Sequence, residues 1–597
     1  MINKKKIIYY LTEVVFTLLS CLYTYLLTIE YITLSSYDFK LFVILLLVLI
    51  GGIWILGPAL NRIFCFLFLG LYSLYIISQA VYNTAFHTYY RFNMALSLRN
   101  EVAGVNDSIA EFLRFEYFIP FIILFVFIVV FTAMYFLFQR KVVSFKERIA
   151  TLCVGAITIV PVVYVYGKFE NQIKQVELNA NPFNLYNSDY YYYLTFNNNS
   201  VFVERFGLLT FMHRDIISLA EESVVSEKDS EEIENFLNDR NHHMDNDYTG
   251  IFEGKNVLFI QAESFMDIAV NEQLTPNIYK LKNQGIEIVG FDTPATPGST
   301  SDSEFAANTS LIPNSGGQAS CYMYENNTFK TTLPGIFNNN GYATSLYHNC
   351  YGQFYNRNVF LKNVGYDELL FCTDFGENGD LPDLHVANTL KWIVNADYPY
   401  MGYWITYSGH QPYNYESVGV YDYDVEKIRE LYPNLDEEYV AYLAKQMDLD
   451  HSIGEILQVL DNSGLSNNTV IVFFGDHIVK GLDFGEGSKF YEQTGLEYKK
   501  SNTNTSLYFY NPTIKPEKYK KTSTLLDLLP TIANLWNFEI DYSTFVGRDI
   551  FDENYGGFRY SEWGNWSTDN VEYNLSENSY SIKEGSSMSI EDAREEM

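Results

Sequence analysis

Five long apolar stretches, at roughly 7–29, 41–57, 63–82, 117–138 and 149–166, crowd the first 170 residues of this 597-residue chain. About 17–20 such residues suffice to cross a bilayer. Lipid offers the backbone no hydrogen-bond partners, so a spanning segment of this kind must be helical. The first stretch is too long, and too rich in Tyr and Thr, to be a cleaved signal peptide. The spacing therefore predicts a helical membrane domain of about five spans over 1–170.

Basic residues set its orientation. Lys4, Lys5 and Lys6 precede the first stretch, Arg62 lies between the second and third, and Arg140, Lys141, Lys146 and Arg148 crowd the loop before the fifth. By the positive-inside rule the N-terminus is cytoplasmic, and five spans leave everything after Tyr166 outside. That argues against cytosolic ATP as a direct substrate. Few charges interrupt the apolar stretches, Glu13 being the main one, which argues against a transporter.

The remainder has a different character. Residues 171–597 hold 27 basic and 63 acidic residues, a net charge of −36. A nucleic-acid backbone would be repelled, so no nucleic-acid partner is expected. Residues 171–250 are polar, Asn- and Tyr-rich, with a helix-like acidic stretch at 221–238, and are expected to form a linker. Ser218-Leu219-Ala220 has the small-residue spacing that signal peptidase favours, which raises release of the outer part by cleavage near Ala220. A single full-length band in the membrane fraction would count against it. Residues 251–567 are expected to be the catalytic domain, and 568–597 a loose polar C-terminal tail. Outside the apolar stretches only Cys321, Cys350 and Cys372 remain, an odd number that fits no metal knuckle and allows at most one disulfide.

From about 251, strand-like runs occur at 256–261, 343–347, 401–407, 469–474 and 506–510, separated by helical patterns such as 437–463. Alternation of this kind implies a parallel α/β sheet. In such sheets ligands bind beyond the carboxyl ends of the strands. Residues 469–477 read Thr-Val-Ile-Val-Phe-Phe-Gly-Asp-His, an apolar strand that stops at Asp476 and His477. A Gly-Asp turn is common after any strand, but an oxygen and a nitrogen donor side by side can hold a divalent cation. Other strand ends also carry polar chemistry: Glu263-Ser264 after the first, His348 after the second, and Ser408-Gly409-His410 after the third. Ser301-x-x-Glu304 fits a capping box, which starts a helix near Thr300. A hydroxyl at a helix N-terminus beside a dication can act as a nucleophile.

Taken together these motifs resemble the lipoteichoic acid synthase family of the alkaline phosphatase/sulfatase superfamily. The motifs are Ala262-Glu263-Ser264, residues 300–305 (Thr-Ser-Asp-Ser-Glu-Phe), His348 with Asn356-Arg357, Ser408-Gly409-His410, and Gly475-Asp476-His477. Residues 525–533 and Gly547-Arg548-Asp549-Ile550 resemble the end of sulfatase-type domains. The resemblance implies a five-span membrane domain followed by an extracellular α/β domain with a central, mostly parallel sheet. It implies one divalent cation, Mn²⁺ ahead of Mg²⁺ or Zn²⁺, held by Glu263, Thr300, Asp476 and His477, with Thr300 as nucleophile. His348, Tyr355, Arg357 and His410 would bind substrate, Tyr355 standing where the family usually has Trp. The implied reaction moves glycerol phosphate from phosphatidylglycerol to a glycerol-phosphate polymer or glycolipid acceptor at a bacterial cell membrane.

Three other readings compete. Phosphoethanolamine transferases share the span count and the threonine nucleophile, but His348 with Asn356-Arg357 favours phosphoglycerol. Transfer of phosphoglycerol to a glucan is a variant set by the type of envelope. A catalytically inactive, membrane-anchored binding protein would be expected to lose ligands, and the Glu/Thr/Asp/His set is complete. A sulfatase needs a Cys or Ser followed by Pro and Arg, whereas Thr300 is followed by Ser301-Asp302-Ser303-Glu304.

Overall fold

The computed structural model describes residues 4–31, 58–86, 89–92, 114–138, 149, 153, 193, 199–218, 227–239 and most of 245–595; within the last span 294–298, 315–318, 377–379, 386–398, 486, 497–504, 561–564, 575–578 and 584 are not described. The chain divides into two compact units, 1–92 with 109–222, and 93–108 with 223–597.

In the first unit, helices run over Lys4–Tyr31, Pro58–Phe86 and Ile119–Phe138. Among the described residues two helical segments are long and apolar enough to cross a membrane, Cys65–Thr84 and Phe115–Met134. These match the expected third and fourth spans. The first expected span coincides with the helix Lys4–Tyr31, which is long enough but not among the two that pass on apolarity. The stretch 41–57, and 149–166 apart from residues 149 and 153, lie outside the described residues.

Part of the expected linker belongs to this unit. Helices Asn199–Phe206 and Leu208–Ser218 bury Phe202, Phe206 and Phe211 against Leu27, Tyr72, Tyr75 and Ile76. A buried ion pair, Arg91 Nε to Asp215 Oδ1 at 3.0 Å, ties the second of these helices to the segment after Phe86. Ser218 ends that helix, and residues 219–220 of the cleavage triplet lie outside the described residues.

The second unit is built on an eight-stranded sheet. Its strands are β1 (Asn256–Ala262), β2 (Ile286–Asp292), β3 (Ala343–His348), β4 (Glu368–Leu370), β5 (Tyr400–Ile405), β6 (Thr469–Gly475), β7 (Leu507–Tyr510) and β8 (Glu517–Thr524). The spatial order is β4-β3-β5-β1-β6-β7-β2-β8. All pairings are parallel except those of β7, which runs antiparallel to β6 and β2. Both faces are covered, which is why the central strands read as unbroken apolar runs. Leu258, Ile260, Ile471 and Phe473 face Tyr442, Met447 and Ile453 of the long helix Glu437–Asn462. Val257, Phe259, Val470, Val472 and Phe474 face the helices Ser299–Thr309, Leu333–Asn339 and Leu528–Trp536. The result is a three-layer α/β/α domain.

Residues 568–597 are not a loose tail over the part described. A second, antiparallel sheet is formed by β9 (Arg559–Tyr560), β10 (Trp566–Ser567), β11 (Val571–Asn574) and β12 (Ser579–Ile582), and a helix follows at Ile590–Glu595. Trp566, Tyr573 and Tyr580 cluster on it, with ring centroids 4.8–6.2 Å apart. Three aromatics on short strands supply the anchoring that the polar composition hid.

Candidate active site

The register of the two central strands creates the site. Ala262 of β1 pairs with Gly475 of β6, so Glu263 and Asp476-His477 leave the sheet side by side. Asp476 N–H extends the ladder to Ala262 O at 3.0 Å. The turns here leave no room for side chains: a Cβ on Gly475 would stand 2.3 Å from Phe265 O, and one on Gly409 2.0 Å from Glu263 O.

Oxygen atoms of Glu263 and Asp476 and a ring nitrogen of His477 lie within 4.8 Å of one another, and all three residues are buried. Ser264 organises two of them. Its φ of +50° turns its N–H onto Asp476 Oδ1 at 2.8 Å, and its hydroxyl donates to Glu263 Oε1 at 2.8 Å. His477 Nδ1 faces Ile478 O at 2.9 Å, which assigns the proton to Nδ1 and leaves the Nε2 lone pair for the site. Nε2 lies 3.4 Å from Glu263 Oε1 and 3.6 Å from Asp476 Oδ2.

Charge in this cluster is out of balance. Burial pushes the Asp476 carboxyl up, and the Glu263 charge adds to the effect. Burial also opposes the charge on Glu263, but His477 overrides it and holds Glu263 below the usual carboxylate range. The two acids raise His477 against the pull of burial. Asp476 Oδ2 is buried without a hydrogen bond. An orphaned carboxylate oxygen beside a second carboxylate and an imidazole lone pair fits a divalent cation by donor type and number.

Thr300 joins this group. It is the second residue of the helix Ser299–Thr309, and its Oγ1 lies 3.1 Å from Glu263 Oε2 and 3.4 Å from His477 Nε2. The helix begins two residues before Ser301, and the expected capping box does not form. Glu304 is instead bound to Arg357, whose Nε lies 2.8 Å and Nη2 2.5 Å from Glu304 Oε1. A buried guanidinium outcompetes a backbone N–H for a carboxylate.

The expected substrate residues come to the same sheet edge. His348 ends β3, and its Nδ1 faces Ile405 O at 3.0 Å. Burial and the Arg357 charge hold it well below the ordinary histidine value, so it is neutral. Arg357 is 2% exposed; burial works against its charge, and Glu304 overrides this and raises its pKa. One edge of its fork is thus committed to Glu304, and only Nη1, buried without a hydrogen bond, remains for a ligand. The Tyr355 ring lies 5.0 Å from the guanidinium, and Tyr355 and Asn356 both have positive φ, 55° and 54°. His410 is half-buried and stacked on Tyr407 at 5.2 Å, and Lys445 Nζ donates to its carbonyl at 2.7 Å. Glu263 is close enough for its charge to be felt by His348. Sequence reasoning missed Gln261, Lys445 and the role of Glu304, and gave Ser264 no role of its own. Only Ser264 had a signal, its place inside the Ala262-Glu263-Ser264 motif.

An α/β domain with a Glu/Asp/His/Thr cluster at the carboxyl edge of a mostly parallel sheet is of the alkaline phosphatase/sulfatase type, and residues 255–538 match the Sulfatase family. Two curated relatives narrow this. Lipoteichoic acid synthase of Staphylococcus saprophyticus is 25% identical over 358 residues, 56% of this chain and 53% of that protein. Lipoteichoic acid synthase 1 of Bacillus subtilis is 24% identical over 389 residues, 60% of this chain and 58% of that one. Residues 255–538 are thus similar to the Sulfatase family, and the chain resembles lipoteichoic acid synthases over just over half of its length. The match spans just over half the length of these relatives. The solved lipoteichoic acid synthase LtaP from Listeria monocytogenes aligns at 22% identity with a TM-score of 0.48, over 57% of this chain and 87% of that one.

Proposed function

We propose that this chain is a membrane-bound phosphoglycerol transferase that moves glycerol phosphate from phosphatidylglycerol to a lipoteichoic-acid-type acceptor, a glycerol-phosphate polymer or a glycolipid. The observation that carries it is the placement of Thr300 Oγ1 at the helix N-terminus, 3.1 Å from Glu263 and 3.4 Å from His477. Glu263, Asp476, His477 and Thr300 would hold one divalent cation, most simply Mn²⁺. When bound, the cation supplies positive charge that lowers the hydroxyl pKa and stabilises phosphoryl oxygens.

Thr300 Oγ1 gives its proton to solvent and attacks phosphorus. The bond from phosphorus to the diacylglycerol oxygen breaks, and diacylglycerol leaves with a proton for which His410 is the donor. A glycerophosphoryl ester stays on Thr300. An acceptor hydroxyl then gives its proton to His410 and attacks the same phosphorus, and the bond from phosphorus to Thr300 Oγ1 breaks, Thr300 taking a proton from solvent. Arg357 Nη1 supplies a donor to the phosphate oxygens, neutral His348, its Nδ1–H held by Ile405 O, offers the Nε2 lone pair to a glycerol hydroxyl, and the Tyr355 ring lies beside the guanidinium. The apolar helices would anchor the chain, N-terminus inside, in the bilayer that holds the donor, with the α/β domain extracellular.

The test is diacylglycerol release from phosphatidylglycerol by the full chain in detergent, with and without Mn²⁺, beside Thr300→Ala. Metal-dependent release that falls about a thousandfold or more in the variant is the expected result. Release retained by Thr300→Ala would sink the mechanism. Cleavage of phosphatidylethanolamine in place of phosphatidylglycerol would reassign the donor.

A further inference from the structure

The face of β1 that looks toward the helix Ser299–Thr309 is apolar at Val257 and Phe259, and then carries Gln261, whose side chain is fully buried. A buried primary amide is costly unless both its ends are hydrogen-bonded. Both ends are engaged. Gln261 Nε2 donates to the backbone carbonyl of Thr300 at 3.2 Å. Gln261 Oε1 accepts the hydroxyl of Tyr403, from β5, at 2.6 Å. Tyr403 is itself fully buried, with its ring against Phe259 at 5.8 Å and Tyr366 at 6.2 Å.

We propose that Gln261, aligned by Tyr403, is a positioning residue that fixes the height of Thr300 above the sheet. The inference rests on Thr300 being the nucleophile. Thr300 lies in the first turn of its helix, where end fraying is normal. The next ties along the helix are at Asp302, whose Oδ1 accepts Ser320 N–H at 2.9 Å, and at Ser303, whose hydroxyl donates to Asp476 O, followed by the Glu304 to Arg357 pair. The Gln261 amide is the tie at the reacting residue itself. It joins Thr300 to the strand that also carries Glu263, two residues beyond Gln261. Nucleophile and cation ligand are thereby held by one rigid element, and a displacement of order 1 Å at a reacting atom can cost up to about a hundredfold in rate.

The experiment uses the full chain with Mn²⁺ and phosphatidylglycerol, and compares Gln261→Met, Tyr403→Phe, their double variant and Thr300→Ala. Gln261→Met keeps the volume and removes both hydrogen bonds. It should lower kcat about tenfold or more, with KM and Mn²⁺ affinity within about twofold of the parent. Tyr403→Phe should give a smaller loss of the same kind, and the double variant should be no worse than Gln261→Met alone, because both act through one amide. A residue that only supports the fold would lower the melting temperature and leave kcat unchanged below it. If Thr300→Ala is dead while Gln261→Met turns over within about twofold of the parent, the positioning role is overturned and the nucleophile assignment stands. Should Gln261→Met fail to fold, Tyr403→Phe decides alone, since an unchanged kcat there removes the role. Turnover by Thr300→Ala would overturn both readings together.

Discussion

Two groups of fully buried acids stand on either side of Gly409, and they are wired differently. At the ends of β1 and β6, Glu263 and Asp476 face His477 and Thr300, and Asp476 Oδ2 has no hydrogen bond. Under the Tyr407–His410 turn, both oxygens of Asp383 and Oδ2 of Asp448 accept from the chain itself, while Asp448 Oδ1 has no hydrogen bond. Asp383 accepts Tyr407 N–H at 2.8 Å and Asn349 Nδ2 at 2.9 Å on Oδ1, and Ser408 N–H at 3.3 Å on Oδ2. Asp448 Oδ2 accepts Asp383 N–H at 2.8 Å and Ser408 Oγ at 2.5 Å. Lys445 is buried beside them and holds His410 O. Burial alone therefore does not mark a metal centre. What differs is that the first group gathers a second carboxylate, an imidazole and a hydroxyl round its unpaired oxygen, whereas the second is threaded through the backbone N–H groups of Tyr407, Ser408 and Asp383. The first group calls for a cation, and the second fixes the shape of a turn.

The largest expected difference is in metal binding. Asp476→Asn should lower Mn²⁺ affinity by about a hundredfold or more, since it removes a charged ligand. Asp383→Asn should leave one site of parental affinity and instead lower stability by about 1–3 kcal/mol, the cost of a broken buried network. Calorimetric titration with Mn²⁺ and thermal melts read the two effects separately. Saturating Mn²⁺, at about a hundred times its dissociation constant, should stabilise the parent and Asp383→Asn by about 2.7 kcal/mol and Asp476→Asn hardly at all. Loss of Mn²⁺ binding in Asp383→Asn would erase the distinction.

Protons should act on the second group. Burial pushes Lys445 down to about 8, with Asp383 the largest opposing influence. The unfolded chain, with an ordinary lysine near 10.4, then binds this proton more tightly than the folded one. The contribution of Lys445 to stability is present above the unfolded pKa and lost as pH falls from there through about 8. Lys445→Met has no such dependence. The parent should gain stability relative to Lys445→Met between pH 7.5 and pH 10, by about 3 kcal/mol at most. Denaturant titrations at the two pH values check this, and a difference that stays flat would mean the ammonium is not in the buried cluster.

Much of the first group was legible in the sequence, and none of the second. Strands buried on both faces read as apolar runs, so the abrupt change to Glu263, His348, His410 or Asp476-His477 stood out. The capping pattern at Ser301-x-x-Glu304 found the helix that carries Thr300, though Glu304 turned out to bind Arg357, 53 residues later. Partners that far apart leave no local trace. The same holds for Asp383, whose donors and acceptors lie 24 to 65 residues away. β8 was missed because it is an edge strand, and its Glu517, Lys518 and Lys520 face solvent. Charged side chains on an edge discourage pairing with other chains and hide the strand from an apolar reading.

The smallest expected effect concerns how the first group is aimed. Ser264 sits at a φ of +50°, which costs a non-glycine residue some free energy, and it serves both acids at once. Ser264→Ala keeps the backbone N–H to Asp476 and removes the hydroxyl bond to Glu263. Ser264→Gly removes the same bond and relieves the backbone. Supporting partners of ligands typically contribute tenfold or more to metal affinity, so both variants should bind Mn²⁺ about tenfold more weakly. Their stabilities should separate, with Ser264→Gly the more stable because φ is free. Equal loss of Mn²⁺ affinity alongside unequal melting temperatures would show that the hydroxyl aims Glu263 independently of strain. Parental affinity in both would mean that Glu263 is held by its neighbours in the sheet, and that the open face of the first group owes nothing to Ser264.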